Sequence, residues 1–268
     1  MKKLFLINVC ILILHCLFAQ DSAGVRVCEI KLKEYPVLYQ QQAAEYRALC
    51  YQAFNIAALR LNALTKVKSS GKRLAIVTDL DETILDNSYQ QAELIKTDQE
   101  YSGRLWKEWS DLSTATAVPG ADAFLQFAKK KGVTVFYISN RDTSEIKSTL
   151  INLQKLKLPN ADTNHMLFLS NTSSKEARRQ TVMKRYNVVM LLGDNLNDFT
   201  QAFEKKPGDE RRLEVDKVRE DWGKKFIVLP NAYYGEWENA IYDYERNLSP
   251  KEKEMKRREK LKGYSRDN

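Results

Sequence analysis

Five short, mainly apolar runs separated by helical stretches are the feature that most narrows the fold of this 268-residue chain. The runs have the length of strands, and because they do not alternate with polar residues, both faces of each strand are expected to be covered. Helices between successive strands predict a Rossmann-like α/β core, a parallel sheet with helices on both faces. The runs are LAIVT (74–78), VTVFYI (133–138), MLFL (166–169), VMLL (189–192) and FIVL (226–229).

Two further segments are predicted to be helical and to lie outside this core. Pro36 suits the first turn of a helix, and apolar residues recur at helical spacing from there to about Lys66. The segment from Ser88 to Ala117 is rich in Trp, Tyr and charged residues and fits no strand pattern. We expect residues from about 30–70 and 88–117 to build a smaller helical cap lobe.

Polar residues that suit a phosphate and a metal ion follow four of the predicted strands. In an open parallel sheet, ligands collect beyond the carboxyl ends of the strands. Asp79 and Asp81 follow the first strand, and like charges there resist ionisation unless a cation compensates them. Each residue alone is typical of a turn or a cap, but their order along the chain indicates a catalytic site for a hard cation such as Mg²⁺. The other candidates are Ser139, Asn140, Lys175, Asp194 and Asp198.

The first nineteen residues have the three-part layout of a bacterial secretory signal. Two lysines precede an apolar run from Leu4 to Phe18, and the small residue Ala19 follows. The run is shorter than the roughly 20 residues that a spanning helix needs. We therefore assign residues 1–19 as a signal peptide cleaved near Ala19, with lipidation of Cys16 or retention as a membrane anchor as the alternatives.

Export leaves two cysteines in the mature chain, Cys28 and Cys50, and places them in an oxidising compartment. They are able to form a disulfide there. Cys50 also lies on the apolar face of a predicted helix, so the sequence is equally compatible with a buried free thiol.

The distribution of charge argues against a nucleic-acid partner. The formal net charge is +8, but residues 246–268 alone carry nine basic and four acidic side chains. Most of the basic excess thus belongs to a polar C-terminal tail, which is typical of a solvated helix or a frayed end. Together with export and the lack of a nucleic-acid-binding motif, this excludes a nucleic-acid polymer as the expected partner.

The segments around the candidate residues resemble the four motifs of the haloacid dehalogenase superfamily of phosphatases. More closely, they are similar to the class C acid phosphatases, the lipoprotein e family of bacterial surface 5′-nucleotidases, over roughly residues 30–245. The resemblance implies a haloacid dehalogenase-like domain over residues 20–245, a location in the periplasm or at the outer membrane, a lipid anchor as one route to the membrane, and a homodimer. The matching segments are DLDETILDNS, VPGA, VFYISNR, KEAR, LLGDNLNDF and FIVLPNAYYGEW.

The resemblance also implies an acid phosphatase that works through an aspartyl phosphate, with Mg²⁺ as cofactor. Asp79 is implied to be the nucleophile, and Asp81 the acid and base that serves the leaving group and then the water. The ion is implied to bind the carboxylates of Asp79 and Asp194 and the main-chain carbonyl of Asp81. The implied phosphate-binding and supporting residues are Ser139, Asn140 and Lys175, with Asp198 behind the metal ligands.

Within that family two aromatic side chains clasp the nucleobase, and the matching positions are Trp106 and Tyr234. Nucleoside 5′-monophosphates are therefore the expected substrates, although Trp106 is also compatible with packing inside the helical lobe. Other readings are a broader phosphatase or phosphotransferase acting on other phosphomonoesters, and a non-catalytic surface binding protein. Four departures from the family pattern bear on substrate preference: Tyr89, Gln90, Tyr233 and Glu236.

Overall fold

The computed structural model describes residues 29–66, 71–169 and 171–264. The predicted signal peptide, Cys16 and Cys28 lie outside these residues. The strands are β1 (Leu74–Thr78), β2 (Leu85–Asp86), β3 (Thr116–Ala117), β4 (Thr134–Ile138), β5 (Met166–Leu167), β6 (Asn187–Gly193) and β7 (Phe226–Val228). The helices are α1 (Glu34–Gln42), α2 (Ala44–Leu64), α3 (Ser88–Lys96), α4 (Gly103–Leu112), α5 (Ala121–Lys130), α6 (Ile146–Lys155), α7 (Glu176–Arg185), α8 (Gly208–Lys217), α9 (Glu236–Ile241) and α10 (Pro250–Lys260).

The core is a five-stranded parallel sheet in the order β5-β4-β1-β6-β7. Successive side chains of a strand point to opposite faces, and in β1 Ile76 joins one apolar cluster while Ala75 and Val77 join another. Both faces are therefore buried, which explains the continuous apolar runs. The five predicted strands all form, and the α/β fold with helices on both faces is confirmed.

The long N-terminal helical segment differs from its prediction in two ways. It is broken at Ala43, whose extended backbone separates α1 from α2. Helix α2 also covers one face of the sheet, since Phe54, Ala57 and Leu61 are buried in the same cluster as the strands. Helix α2 is thus a layer of the core rather than part of a separate lobe.

The segment after β1 is built as a cover over the carboxyl ends of the strands. It contains α3, α4 and a short antiparallel pair, β2 with β3, which the sequence did not predict. Helix α1 packs against α3, and Gln40 donates a hydrogen bond of 2.8 Å to Asp86 while Gln41 donates to Ser88. Helices α1, α3 and α4 therefore make up the helical cover.

The C-terminal tail is docked onto the domain through α10. This helix begins at a capping box in which Ser249 accepts from the Glu252 amide. Arg257 then donates to both carboxylate oxygens of Glu29, at 2.9 and 3.0 Å. Among the described residues, no helix is both long and apolar enough to span a bilayer.

Candidate active site

Lys175 joins two of the predicted aspartates beyond the carboxyl ends of the strands. Its ammonium group donates to Oδ1 of Asp79 at 2.5 Å and to Oδ1 of Asp198 at 2.6 Å. All three side chains are less than 10% exposed. Asp79 directly follows β1 and keeps its amide in the sheet by donating to Leu192, whereas Lys175 directly precedes α7. Residues nearly one hundred positions apart thus meet at one edge of the sheet.

Asp194 completes a cluster of carboxylates with Asp79 and Asp198. One oxygen from each of the three lies within 4.8 Å of the others. Two side chains orient Asp194: Thr83 donates to one of its oxygens at 3.2 Å and Asn231 to the other at 2.8 Å. Three converging carboxylate oxygens are the donor set that Mg²⁺ and other hard cations prefer.

The protonation behaviour of this cluster reports an excess of negative charge. Burial, and then the like charge of Asp198, raise the pKa of Asp194 to about 8. Burial also raises the pKa of Asp79 well above its usual range, although Lys175 opposes this. Burial alone would lower the pKa of Lys175, but Asp198 and Asp79 raise it above its usual value. One ammonium does not balance three carboxylates, so the residues present fit a divalent cation.

Asp81 occupies a different electrostatic environment from Asp79. Arg141 donates to it through Nε at 3.0 Å and through its terminal nitrogen at 2.7 Å, and Asn87 adds a bond of 2.9 Å. The Arg141 side chain is 2% exposed. Asp81 is therefore paired with its own cation, away from the carboxylate cluster.

Ser139 and Asn140 follow β4 and are held from behind by Arg178. Arg178 donates to the Ser139 carbonyl and to the side-chain oxygen of Asn140, each at 2.6 Å. The amide nitrogen of Asn140 donates to the Ser173 carbonyl at 2.9 Å. The Asn140 side chain therefore joins two loops, and the Ser139 hydroxyl donates to Asp81 at 3.3 Å.

Trp106 and Tyr234, the predicted base-binding residues, contact the loops after β4 and β1 respectively. The guanidinium of Arg141 lies over the Trp106 ring, 5.3 Å from its centroid. The Tyr234 hydroxyl donates to Glu82 at 2.5 Å. Tyr233, one of the departures from the family pattern, is 3% exposed and packs edge-on against Tyr234. Trp106 is half-buried on α4, so a face of its ring is in contact with Arg141 rather than lying deep in the lobe.

Sequence reasoning missed several buried polar residues that organise the site. Glu82 has a φ of 56° and is fully buried, and burial, followed by the charge of Asp81, raises its pKa to about 8. Asn87 donates its amide to Glu82 and its side chain to Asp81, and accepts from Trp109. Both lie inside the DLDETILDN motif, but nothing in the motif says which of its polar residues turn inward. Arg141 stands in the SNR motif and was left without a role.

The comparisons with known proteins agree with this geometry. The family model described as HAD superfamily, subfamily IIIB (acid phosphatase) matches residues 19–237. The class C acid phosphatase from Bacillus anthracis is 39% identical, with a TM-score of 0.85 over 89% of this chain and 100% of that one. The same enzyme with tungstate bound is also 39% identical, with a TM-score of 0.84 over 90% of this chain and 100% of that one.

Proposed function

Because the chain belongs to the class C acid phosphatases of HAD subfamily IIIB and is therefore a phosphoric monoester hydrolase, we propose that it hydrolyses nucleoside 5′-monophosphates outside the cytoplasm. We propose Mg²⁺ as its cofactor and an aspartyl phosphate on Asp79 as its intermediate. Membership in an enzyme family disfavours the alternative of a non-catalytic binding protein.

The observation that carries the proposal is the shared ammonium of Lys175 between Asp79 and Asp198, with Asp194 beside them. A nucleophilic carboxylate must approach a phosphate that is itself an anion. Buried positive charge at the site lowers the electrostatic cost of that approach. Lys175 supplies part of this charge, and Mg²⁺ held by Asp79, Asp194 and the Asp81 carbonyl would supply the rest and polarise the phosphate.

The other steps of the proposed reaction are assigned to individual side chains of the site. Asp79 attacks phosphorus while Lys175 fixes the orientation of its carboxylate. Asp81 protonates the leaving oxygen and later accepts a proton from the attacking water. The Ser139 hydroxyl and the backbone amides of the same turn donate to the phosphoryl oxygens. Asp198 acts by holding Lys175 and, through its other oxygen, the Asn195 amide at 3.0 Å.

The nucleotide preference is proposed from the two aromatic side chains. Trp106 is anchored by Arg141 and Tyr234 by Glu82, so both rings are fixed before substrate arrives. Fixed aromatic faces bind any base by stacking, which favours broad use of nucleoside monophosphates. The burial of Tyr233 behind Tyr234 supports the same arrangement with a bulkier packing partner than the Asn of the family pattern.

The principal test is phosphate release from adenosine 5′-monophosphate. We expect activity with Mg²⁺, loss of activity with EDTA that Mg²⁺ restores, and loss in Asp79→Asn. The matched control is Asp216→Asn, the same substitution at an exposed position of α8. Equal release from the wild type, the EDTA-treated protein and Asp79→Asn would reject the proposal.

A second assay separates a nucleotidase from a phosphatase or phosphotransferase of broader specificity. Trp106→Ala and Tyr234→Ala are compared on adenosine 5′-monophosphate and on glycerol 2-phosphate, which has no ring. A nucleotidase loses activity selectively on the nucleotide, whereas a parallel loss on both substrates favours the broader reading. Tyr35→Ala, at a position that is 84% exposed, is the control.

Export and attachment to the membrane are proposed from the signal-like N-terminus. The test is the intact mass of the protein recovered from the extracytoplasmic fraction. Cleavage near Ala19 predicts the mass of residues 20–268, whereas a lipidated Cys16 predicts a chain that still contains Cys16, heavier by its acyl groups. Recovery of the full-length chain in the cytoplasm would contradict export.

A further inference from the structure

The two carboxylate oxygens of Asp81 are bound very unequally. Oδ1 accepts from the terminal nitrogen of Arg141 at 2.7 Å, from Nε at 3.0 Å and from Asn87 at 2.9 Å. Oδ2 has only longer contacts, at 3.2 Å from Arg141 Nε and 3.3 Å from the Ser139 hydroxyl. A carboxylate oxygen offers about two lone-pair sites, so Oδ1 is fully used and a proton there would have to displace a donor.

Arg141 is itself held on several sides. It donates to Thr149 at 3.0 Å, and Thr149 is fully buried. Its terminal nitrogen also reaches Asn87, at 3.4 Å, and the guanidinium lies over the Trp106 ring. A guanidinium fixed in this way has lost its rotational freedom before substrate binds, so it sets the direction of the carboxylate that it grips.

We propose that Arg141 is a positioning residue that grips Asp81 through Oδ1 and thereby makes Oδ2 the oxygen that carries the transferred proton. The inference rests on the phosphatase reaction proposed above. As the bond from Asp79 to phosphorus forms, the bond from phosphorus to the leaving oxygen breaks and its electron pair stays on that oxygen. The leaving oxygen takes the proton from Oδ2, and Asp81 is left as a carboxylate paired with Arg141.

Two aryl phosphates of nearly the same shape test this inference. Phenolate is a poor leaving group, since phenol resembles the tyrosine side chain with a pKa of about 10, and its departure depends on a proton from Asp81. The nitrophenolate of p-nitrophenyl phosphate leaves without that proton. Both substrates place one ring near Trp106, so a change in ring binding affects them equally. The quantity measured is kcat/KM, which reports the steps up to departure of the leaving group.

In Arg141→Lys we expect kcat/KM to fall about 100-fold on phenyl phosphate, because misplacing a general acid removes most of its contribution. On p-nitrophenyl phosphate we expect a change of less than about threefold, because no proton is required there. A role of Arg141 in binding the phosphate, or in the stability of the fold, predicts the same factor for both substrates. An unchanged ratio of the two kcat/KM values would therefore overturn the proposal.

A milder variant decides the matter if Arg141→Lys does not fold. Thr149→Val removes one anchor of the guanidinium and leaves every residue around Asp81 in place, so the ratio should shift in the same direction by a smaller factor. Thr181→Val, at an exposed position of α7, is the control and should leave both substrates unchanged. An unshifted ratio in a folded Thr149→Val overturns the proposal. A wild type inactive on both substrates instead refutes the proposed function, and this inference with it.

Discussion

The excess negative charge of the carboxylate cluster makes a prediction about stability without metal. The pKa of Asp194 in the folded protein, about 8, lies above its ordinary value of 3.8. Between these two pH values the folded protein keeps a proton that the unfolded chain has lost. The stabilisation is therefore fully present below about pH 4 and is lost as the pH rises through about 8.

The size of the effect follows from the shift and from the exposure of the group. The whole shift, from 3.8 to about 8, corresponds to roughly 6 kcal/mol. Asp194 is only half-buried, and solvent screening lowers the expected loss to about 2 kcal/mol between pH 5 and 8, or about 4–8 °C in Tm for a domain of this size. The proposed Mg²⁺ would bind the ionised carboxylates, so at one hundred times its Kd it should restore about 2.7 kcal/mol at pH 8.

The assay is thermal unfolding in EDTA and in Mg²⁺, from pH 5 to pH 9. Asp194→Asn should reduce the pH dependence in EDTA and should abolish most of the stabilisation by Mg²⁺, whereas Asp216→Asn should behave as wild type. The buried carboxyl of Glu82 has a raised pKa of about 8 in the same window, and its contribution should not respond to Mg²⁺. If wild type and Asp194→Asn showed the same stability at every pH with and without Mg²⁺, the charge argument would be wrong.

Two further predictions concern packing and docking. A methyl group at Gly193 would overlap Asp198, so Gly193→Ala should lower Tm by several degrees and reduce kcat. In the control, Gly208→Ala, the added methyl group makes only an ordinary contact, so Tm and kcat should change little. Thermal melts and phosphate-release kinetics on both variants check this. Arg257→Ala breaks the paired contact with Glu29, so the free energy of unfolding measured in urea should fall by about 1 kcal/mol while kcat/KM stays unchanged. An altered kcat/KM would mean that α10 influences the site.

The sequence was informative where one physical cause determines a whole segment. The run LAIVT matches β1 at both ends because burial on two faces requires apolar residues at every position. The pair of two-residue strands β2 and β3 has no such requirement, since its hydrogen bonds depend on how the chain folds back over the sheet. The break at Ala43 is similar, because no Gly or Pro marks it. Tertiary contacts decide these features, and local pattern does not contain them.

In the candidate site, too, the sequence predicted some residues and missed the contacts of others. Asp79, Lys175, Asp194 and Asp198 were identified because each follows a strand, and the sheet brings the ends of its strands together. The role of Asn140 in binding the phosphate stays a prediction, and the sequence did not show that its amide nitrogen also donates to the Ser173 carbonyl. The contacts of Glu82 and Asn87 depend on side-chain directions at and after Glu82, which has a positive φ. The contacts of Arg141 depend on how the loops after β1 and β4 meet, and no spacing rule gives any of these directions.

Asp79 and Asp81 are two residues apart, yet the fold gives them different cationic partners, and this difference suits the two-step phosphoryl transfer proposed above. Asp79 shares Lys175 with Asp198 and remains short of positive charge, so it calls for a metal ion and stays unprotonated beside one. Asp81 has a guanidinium of its own, so no metal is needed to hold its side chain in place. If both carboxylates lay in the same cluster, the cation that activates the nucleophile would also compete with the proton on the acid. Different cationic partners for the two carboxylates would let one motif supply both the nucleophile and the proton donor of the proposed reaction.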